Sequence, residues 1–232
     1  MQAPFELRLG SIAGWIAFMG VVSLLIVIPM ALAGQPPTVN SDPASVVAYF
    51  RHPELALIHA ALAPFVGVAL VPFAYGLRSA FQSGVSNASR AFADLGFALV
   101  LVTVPVYVLS SALGAALVHA ADGDAATFAS LFRFYDLLYN AGADVLEGAW
   151  IGAFSISILA ASAPRWIGWL GVTVMLARWI KAFVPVATVP EIVVSVGGVL
   201  FLAWFLAIVV MLTRLARRPV PAASPVGAVA GA

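Results

Sequence analysis

Four charged residues in otherwise apolar sequence are the strongest candidates for chemistry in this chain. Asp144 and Glu147 lie three positions apart in one apolar segment, and Arg178 and Lys181 lie three positions apart in the next. A charge near the middle of a membrane helix costs about 2.5–3.5 kcal/mol on insertion scales, so such residues are rare and often functional. Carboxylates in this setting can carry protons. The sequence therefore predicts a polar site shared by two neighbouring helices.

The first pair belongs to a longer polar pattern. Read as a helix, the sequence places Arg133, Asp136, Asn140, Asp144 and Glu147 at steps of three, four, four and three. At 100° per residue these side chains cover an arc of about 80°. A narrow polar stripe on an apolar helix is typical of a membrane helix that faces a pocket or a partner. We interpret the first two residues of the stripe as a solvated helix face and the last two as the site.

The second pair predicts how the two segments are arranged. A break at Ala163-Pro164 separates them, so they should form an antiparallel hairpin. In such a hairpin Asp144 is expected level with Lys181, and Glu147 level with Arg178. Pairing across the hairpin, or opening to water, would remove the cost of burying the charges.

Composition places the chain in a membrane. Of its 232 residues 63% are hydrophobic and only 9% are charged, whereas soluble domains carry about 25% charge. The net charge of +1 gives no reason to expect nucleic acid as a partner, and the chain has no cysteine, which excludes disulfides, thiolate metal sites and thiol nucleophiles. Alanine is abundant and the basic residues are nearly all arginine, which suggests a bacterial cytoplasmic (inner) membrane protein in contact with the lipid bilayer.

The hydrophobic segments predict an all-α membrane protein with six transmembrane helices. The predicted spans are residues 11–33, 53–77, 91–120, 143–162, 165–184 and 190–212, and residues 214–232 are a basic and then disordered tail. We interpret the first span as uncleaved, because its apolar run is longer than the apolar region of a signal peptide, which has roughly 7–15 residues. No repeat relates the first three spans to the last three.

The distribution of arginine predicts the topology. Basic residues concentrate on the side that holds both ends of the chain, and they are Arg8, Arg78, Arg90, Arg165, Arg214, Arg217 and Arg218. By the positive-inside rule both termini are cytoplasmic. The four charged candidates then lie in the outer half of the fourth and fifth spans, which predicts a cavity that opens to the outside and is closed toward the cytoplasm.

Two polar caps and one long helical stretch shape the outer side. Asp42 should cap a short helix over residues 43–51, and Asp124 should cap the next long helix. Residues 125–162 are too long for one span, so the stretch before span four is predicted to project outside or to bend near Gly142 along the interface. Gly148 and Gly152 form a small-xxx-small pair that favours close helix approach.

These observations leave three functions open. The cavity candidates are His59, Asn140, Asp144, Glu147, Arg178 and Lys181. The first hypothesis is binding or transport of a small-molecule ligand, and the second is a structural protein whose charges only pair helices. The third is a membrane enzyme that acts on a lipid head group, with Glu147 or His59 as the base. His59 and His119 lack the spacing of a known haem or zinc pattern, so neither a cofactor nor a metal is predicted.

The hinge between spans four and five resembles a known family. Residues 161–172 read Ala-Ser-Ala-Pro-Arg-Trp-Ile-Gly-Trp-Leu-Gly-Val. The segment is similar to the corresponding hinge of an uncharacterised six-span bacterial integral membrane family, a domain of unknown function, in which Pro-Arg precedes Leu-Gly-x-Leu-Gly. Ile167 stands where that pattern has its first leucine. The resemblance implies the six-span fold and implies no activity.

Overall fold

The computed structural model describes residues 5–27, 37, 41–82, 86–161, 163–183 and 191–218, and within these ranges the chain is helical with no strand. The helices are α1 (Phe5–Val22), α2 (Pro43–Phe50), α3 (Pro53–Ala80), α4 (Asn87–Ala120), α5 (Ala125–Asp136), α6 (Ala143–Leu159), α7 (Arg165–Phe183) and α8 (Glu191–Arg217). Two π-helical segments, Ser23–Val27 and Leu137–Gly142, extend α1 and join α5 to α6. The predicted all-α class is confirmed.

Parts of several predicted regions lie outside the described residues. These parts are the end of span one, the last residue of span four, the boundary between spans five and six, and most of the tail after residue 214. Elsewhere the helices differ from the predicted spans by a few residues at their ends. For example, α3 continues to Ala80 and α4 already begins at Asn87.

The six long helices form a closed ring in which sequence neighbours are also spatial neighbours. α1 packs on α3, α3 on α4, α4 on α6, α6 on α7, α7 on α8, and α8 returns to α1. Gly10 meets Gly76 and Gly20 meets Val66, so α1 and α3 run in opposite directions. The other neighbouring pairs alternate in the same way, which brings the start of α6 level with the end of α7.

Among the described residues, five helical stretches are long and apolar enough to cross a membrane. They are Phe5–Val27, Ala56–Ala80, Asn87–Ala120, Ala125–Leu159 and Val196–Arg217. These stretches indicate a multi-pass membrane protein. α7 is not one of the five, and it is the helix that carries Arg178 and Lys181.

Both predicted N-caps are confirmed. The Asp42 carboxylate accepts a hydrogen bond from the Ser45 backbone N–H at 3.1 Å, which caps α2. The Asp124 carboxylate accepts one from the Thr127 backbone N–H at 2.8 Å and caps α5. Each cap satisfies a backbone donor that the first helical turn leaves without an intrahelical partner.

α5 packs against the ring through an aromatic face. The rings of Phe128, Phe132, Tyr135 and Tyr139 stack in succession along this face. Phe50 of α2 meets the first three of them edge-on. The π-helical segment Leu137–Gly142 joins α5 to α6. The sequence predicted that this stretch either projects outside or bends near Gly142 along the interface, and that choice stays a prediction.

The predicted polar stripe does not continue along the whole helix. Arg133 is exposed, as expected for a solvated face, but Asp136 is only 6% exposed, so that part of the prediction is wrong. Asp136 follows Phe132 by four residues and precedes Tyr139 by three, which places it on the packed aromatic face. The wider π-helical turn that follows also changes the angular spacing on which the stripe was based.

Candidate functional site

The two acidic residues of the site lie at the start of α6. Asp144 and Glu147 are one turn apart on the same helix face, and their side chains are only 4% and 12% exposed. α7 approaches closely beside them, because a Cβ added at Gly148 would lie 2.6 Å from Nε1 of Trp179. That indole N–H donates to the Val145 carbonyl at 3.2 Å, which fixes the two helices side by side. The predicted role of Gly148 in close helix approach is confirmed.

Both predicted ion pairs are present. Lys181 Nζ lies 2.7 Å from Asp144 Oδ2, and Arg178 Nη2 lies 2.9 Å from Glu147 Oε2. A third contact was not predicted: Arg178 Nη1 donates to Asp144 Oδ1 at 2.5 Å. Arg178 therefore bridges the two carboxylates, and the four side chains form one connected ion cluster.

Two further helices complete the cluster. The hydroxyl of Tyr107 on α4 donates a hydrogen bond to Glu147 Oε1. The Arg178 guanidinium lies over the ring of Phe201 on α8, 4.7 Å from its centroid, within the range of a cation–π interaction. Sequence reasoning missed both partners, because a lone tyrosine and a lone phenylalanine on apolar helices give no signal by spacing.

The two oxygens of each carboxylate have different partners. Asp144 Oδ1 accepts from Arg178, and Glu147 Oε1 accepts from Tyr107. Asp144 Oδ2 and Glu147 Oε2 lie within ion-pair distance of a cation but outside hydrogen-bond geometry. Each acid therefore has one hydrogen-bonded oxygen and one oxygen held by charge alone.

The charges of the cluster balance. Two carboxylates meet one guanidinium and one ammonium, so the formal charge is zero. Removing one partner from a buried pair is far more costly than the pair itself is stabilising, because it leaves an uncompensated charge. The cations are also the more accessible members, since the side chains of Arg178 and Lys181 are 19% and 28% exposed.

A small hydroxyl-lined cavity lies next to the cluster. Its polar lining comes from Tyr49, Ser110, Ser111, Tyr135 and Tyr139. The cavity has a volume of about 10 Å³, which is enough for about one water molecule. The four charged residues do not line this cavity, so it is a neighbour of the cluster and not the predicted binding space.

Tyr49, one of the residues that line this cavity, belongs to the short helix α2. Burial, with a smaller contribution from nearby Tyr139, raises the pKa of Tyr49 to about 12. Tyr49 is therefore a neutral hydroxyl near pH 7, able both to donate and to accept a hydrogen bond.

The structure brings together four of the six predicted site residues. Asp144, Glu147, Arg178 and Lys181 form the ion cluster, as described above. The side chains of His59 and Asn140 lie outside the described part of the structure. His119, considered with His59 as a metal or haem ligand, is exposed at the end of α4.

A scan of protein-family models finds no match for the chain, and searches of curated proteins and of solved structures find none either. The resemblance at the hinge between α6 and α7 stays a prediction.

Proposed function

We propose that the chain crosses a bacterial cytoplasmic membrane six times, with α7 as its fifth transmembrane helix and both ends of the chain in the cytoplasm. Two observations support this topology. α7 packs between α6 and α8. Its charged residues in the ion cluster, Arg178 and Lys181, are paired with acids, which lowers the cost of placing them in a membrane. The concentration of arginine at the opposite end of the bundle agrees with the positive-inside rule.

The absence of native cysteine makes the topology easy to test. Single-cysteine variants Gly123→Cys, in the turn before α5, and Ala163→Cys, in the turn before α7, are treated in intact cells with a membrane-impermeant maleimide. We expect labelling at position 123, and labelling at position 163 only after the cells are opened. The opposite pattern, or equal labelling of both, would contradict the proposed orientation.

We further propose that the ion cluster is the binding site for a small solute that enters from the outer side. The observation that carries this proposal is the bridging position of Arg178, which holds two carboxylates at a junction of four helices. One ion pair would be enough to align α6 with α7. Four ionisable groups and a tyrosine hydroxyl in one place are costly in a membrane, and such groupings usually mark substrate or proton pathways.

A second function is favoured by the charge balance of the cluster. In this second function the protein is structural. Because each acid has a basic neighbour, the four charges fix the register of α6 against α7 and bind no solute. No comparable observation among the described residues favours a membrane enzyme.

A charge swap combined with a solute panel separates binding from structure. The double variant Asp144→Lys/Lys181→Asp keeps the pair but exchanges its ends, and each single variant serves as a control for loss of the pair. Thermal unfolding of the purified full chain is followed with small carboxylates, phosphate, amines and sugars. A solute at 100 times its Kd stabilises the folded state by about 2.7 kcal/mol.

If the cluster is a binding site, one class of solute raises the unfolding midpoint of the natural chain but not of the folded double variant. A structural role predicts that no solute class shifts either protein. It also predicts that the double variant recovers part of the stability that each single variant lost, because the cluster is neutral again although Arg178 then faces a lysine at position 144. The second result would overturn the proposed binding function.

A further inference from the structure

The cations of the ion cluster are more exposed than its acids, and this order restricts the class of solute that the cluster can bind. Its accessible members are the cations Arg178 and Lys181, whereas Asp144 and Glu147 are the more deeply buried. A solute that approaches the cluster meets positive charge first and reaches the carboxylates only behind it. This order favours an anionic solute over a cationic one.

The neutrality of the cluster adds a second restriction. Two acids and two bases cancel, so a monovalent anion that enters alone would leave one negative charge uncompensated in a site of low dielectric. Entry of one proton together with the anion keeps the sum at zero. Binding of an anion is therefore expected to be coupled to uptake of one proton.

Glu147 is the acid best placed to take that proton. Asp144 faces two cations and is hydrogen-bonded to one of them, whereas Glu147 meets a cation only through the misaligned contact of its Oε2 with Arg178. The titratable groups of the described residues that face Glu147 are Tyr107, Tyr139 and Arg178, and Asp144 lies one turn away on the same helix. A proton on Oε2 leaves the hydrogen bond from Tyr107 to Oε1 intact.

We propose, on the basis of the solute-binding function above, that the cluster binds the carboxylate of a small monocarboxylic solute together with one proton. The proton forms an O–H bond at Glu147 Oε2, and the ionic contact of that oxygen with Arg178 Nη2 breaks. The solute carboxylate takes its place on the guanidinium, whose planar fork matches a carboxylate in shape. Lys181, the most exposed member of the cluster, attracts the anion from the outer side.

The test measures binding of two defined monocarboxylates to the purified full chain. Sodium acetate and sodium benzoate are titrated while thermal unfolding is recorded, with sodium chloride at equal ionic strength as the anion control. The measurements span roughly pH 6 to pH 8, where both probes are ionised. We expect the apparent affinity to fall about tenfold for each unit rise in pH, because one proton accompanies each anion.

Two variants distinguish proton coupling from a general effect of charge. Glu147→Gln carries a permanently neutral amide, so its carboxylate binding should lose its pH dependence and match at high pH the natural chain at low pH. Arg178→Lys keeps the positive charge but loses the fork, so its affinity should fall about tenfold or more. If Glu147→Gln does not fold, a pH indicator in weakly buffered solution reports the uptake of one proton per bound acetate by the natural chain.

Three results would overturn the inference: no midpoint shift with either carboxylate, a shift that is independent of pH in the natural chain, or an equal shift with chloride. Binding of phosphate or an amine that depends on Arg178 would leave the proposed binding function intact while refuting the solute class. Absence of binding by every class, with partial recovery of stability in the charge-swapped double variant, would refute both.

Discussion

The molecule contains two arginine–carboxylate contacts that are alike in chemistry and opposite in surroundings. At one end of the bundle Arg78 of α3 donates to Asp94 of α4 at 2.6 Å and lies over the ring of Phe97. At the other end Arg178 of α7 donates to Asp144 of α6 at 2.5 Å and lies over Phe201. Both contacts join neighbouring antiparallel helices through the same kinds of atoms.

Exposure separates the two contacts. The side chains of Arg78 and Asp94 are 36% and 50% exposed, whereas that of Asp144 is 4% exposed. An exposed carboxylate that loses its partner is solvated by water, while a buried one remains an uncompensated charge. The comparison teaches that the contact geometry alone does not reveal which pair the fold depends on.

The largest expected effect comes from removing the bridging arginine. Arg178→Met should destabilise the protein by about 3–5 kcal/mol, because two buried carboxylates lose their shared cation. The matched variant Arg78→Met should cost about 0–1 kcal/mol, because Asp94 remains solvated. The free energy of unfolding in detergent, measured by denaturant titration, gives both values. Equal losses of stability in the two variants would show that burial does not make the contact at Arg178 more important to the fold than the contact at Arg78.

A smaller effect is expected from separating α6 and α7 at the cluster. Gly148→Ala places a Cβ against the Trp179 indole, and overpacking of this kind costs about 1–3 kcal/mol. Gly198→Ala on α8 is the matched control, since a Cβ there meets no atom within 4 Å, and the better helix propensity of alanine should make it neutral or stabilising. Denaturant titration of both variants in detergent checks the difference. Similar losses would show that the close approach at Gly148 does not position the cluster.

The smallest effect concerns a fully exposed carboxylate. Hydrogen bonds from the Thr127 backbone and side chain lower the pKa of Asp124 below its usual range. Because the pKa in the folded state is depressed, the cap contributes stability above the pKa of the unfolded chain, and this contribution disappears as the pH falls through the folded value. Hydrogen exchange of the Thr127 amide should therefore gain less protection from raising the pH in Asp124→Asn than in the natural chain. An identical pH response of the two proteins would show that the Asp124 charge does not stabilise this cap.

Local sequence patterns were sufficient for the caps and for the main ion pairs. Asp42 and Asp124 precede helices at the positions where a side chain can accept a backbone N–H, and such caps depend only on nearby residues. The level of Asp144 with Lys181 followed from an antiparallel hairpin with a short turn at Pro164. In each case the interacting residues are fixed by one helix or by two consecutive helices.

Spacing failed where the helix changed type or where the partner came from a distant helix. The interpretation of Asp136 as solvated assumed a regular 100° rotation, but the chain packs an aromatic face there and then passes through a π-helical segment. Tyr107 is separated from Glu147 by 40 positions in the chain, so no local periodicity links the two residues. The cavity predicted at the charged residues stays a prediction, since those residues do not line the small cavity beside the cluster.

By itself the sequence determined that this protein is helical and apolar enough to span a membrane. It also determined that acids and bases lie in apolar segments, where their charges must be compensated, because these properties follow from residue types and their order. The tertiary structure decided that Arg178 bridges both acids, that Tyr107 and Phe201 complete the cluster, and that its cations are more exposed than its acids. Those features depend on how the ring of helices closes, since closure alone brings α4 and α8 to the junction of α6 and α7.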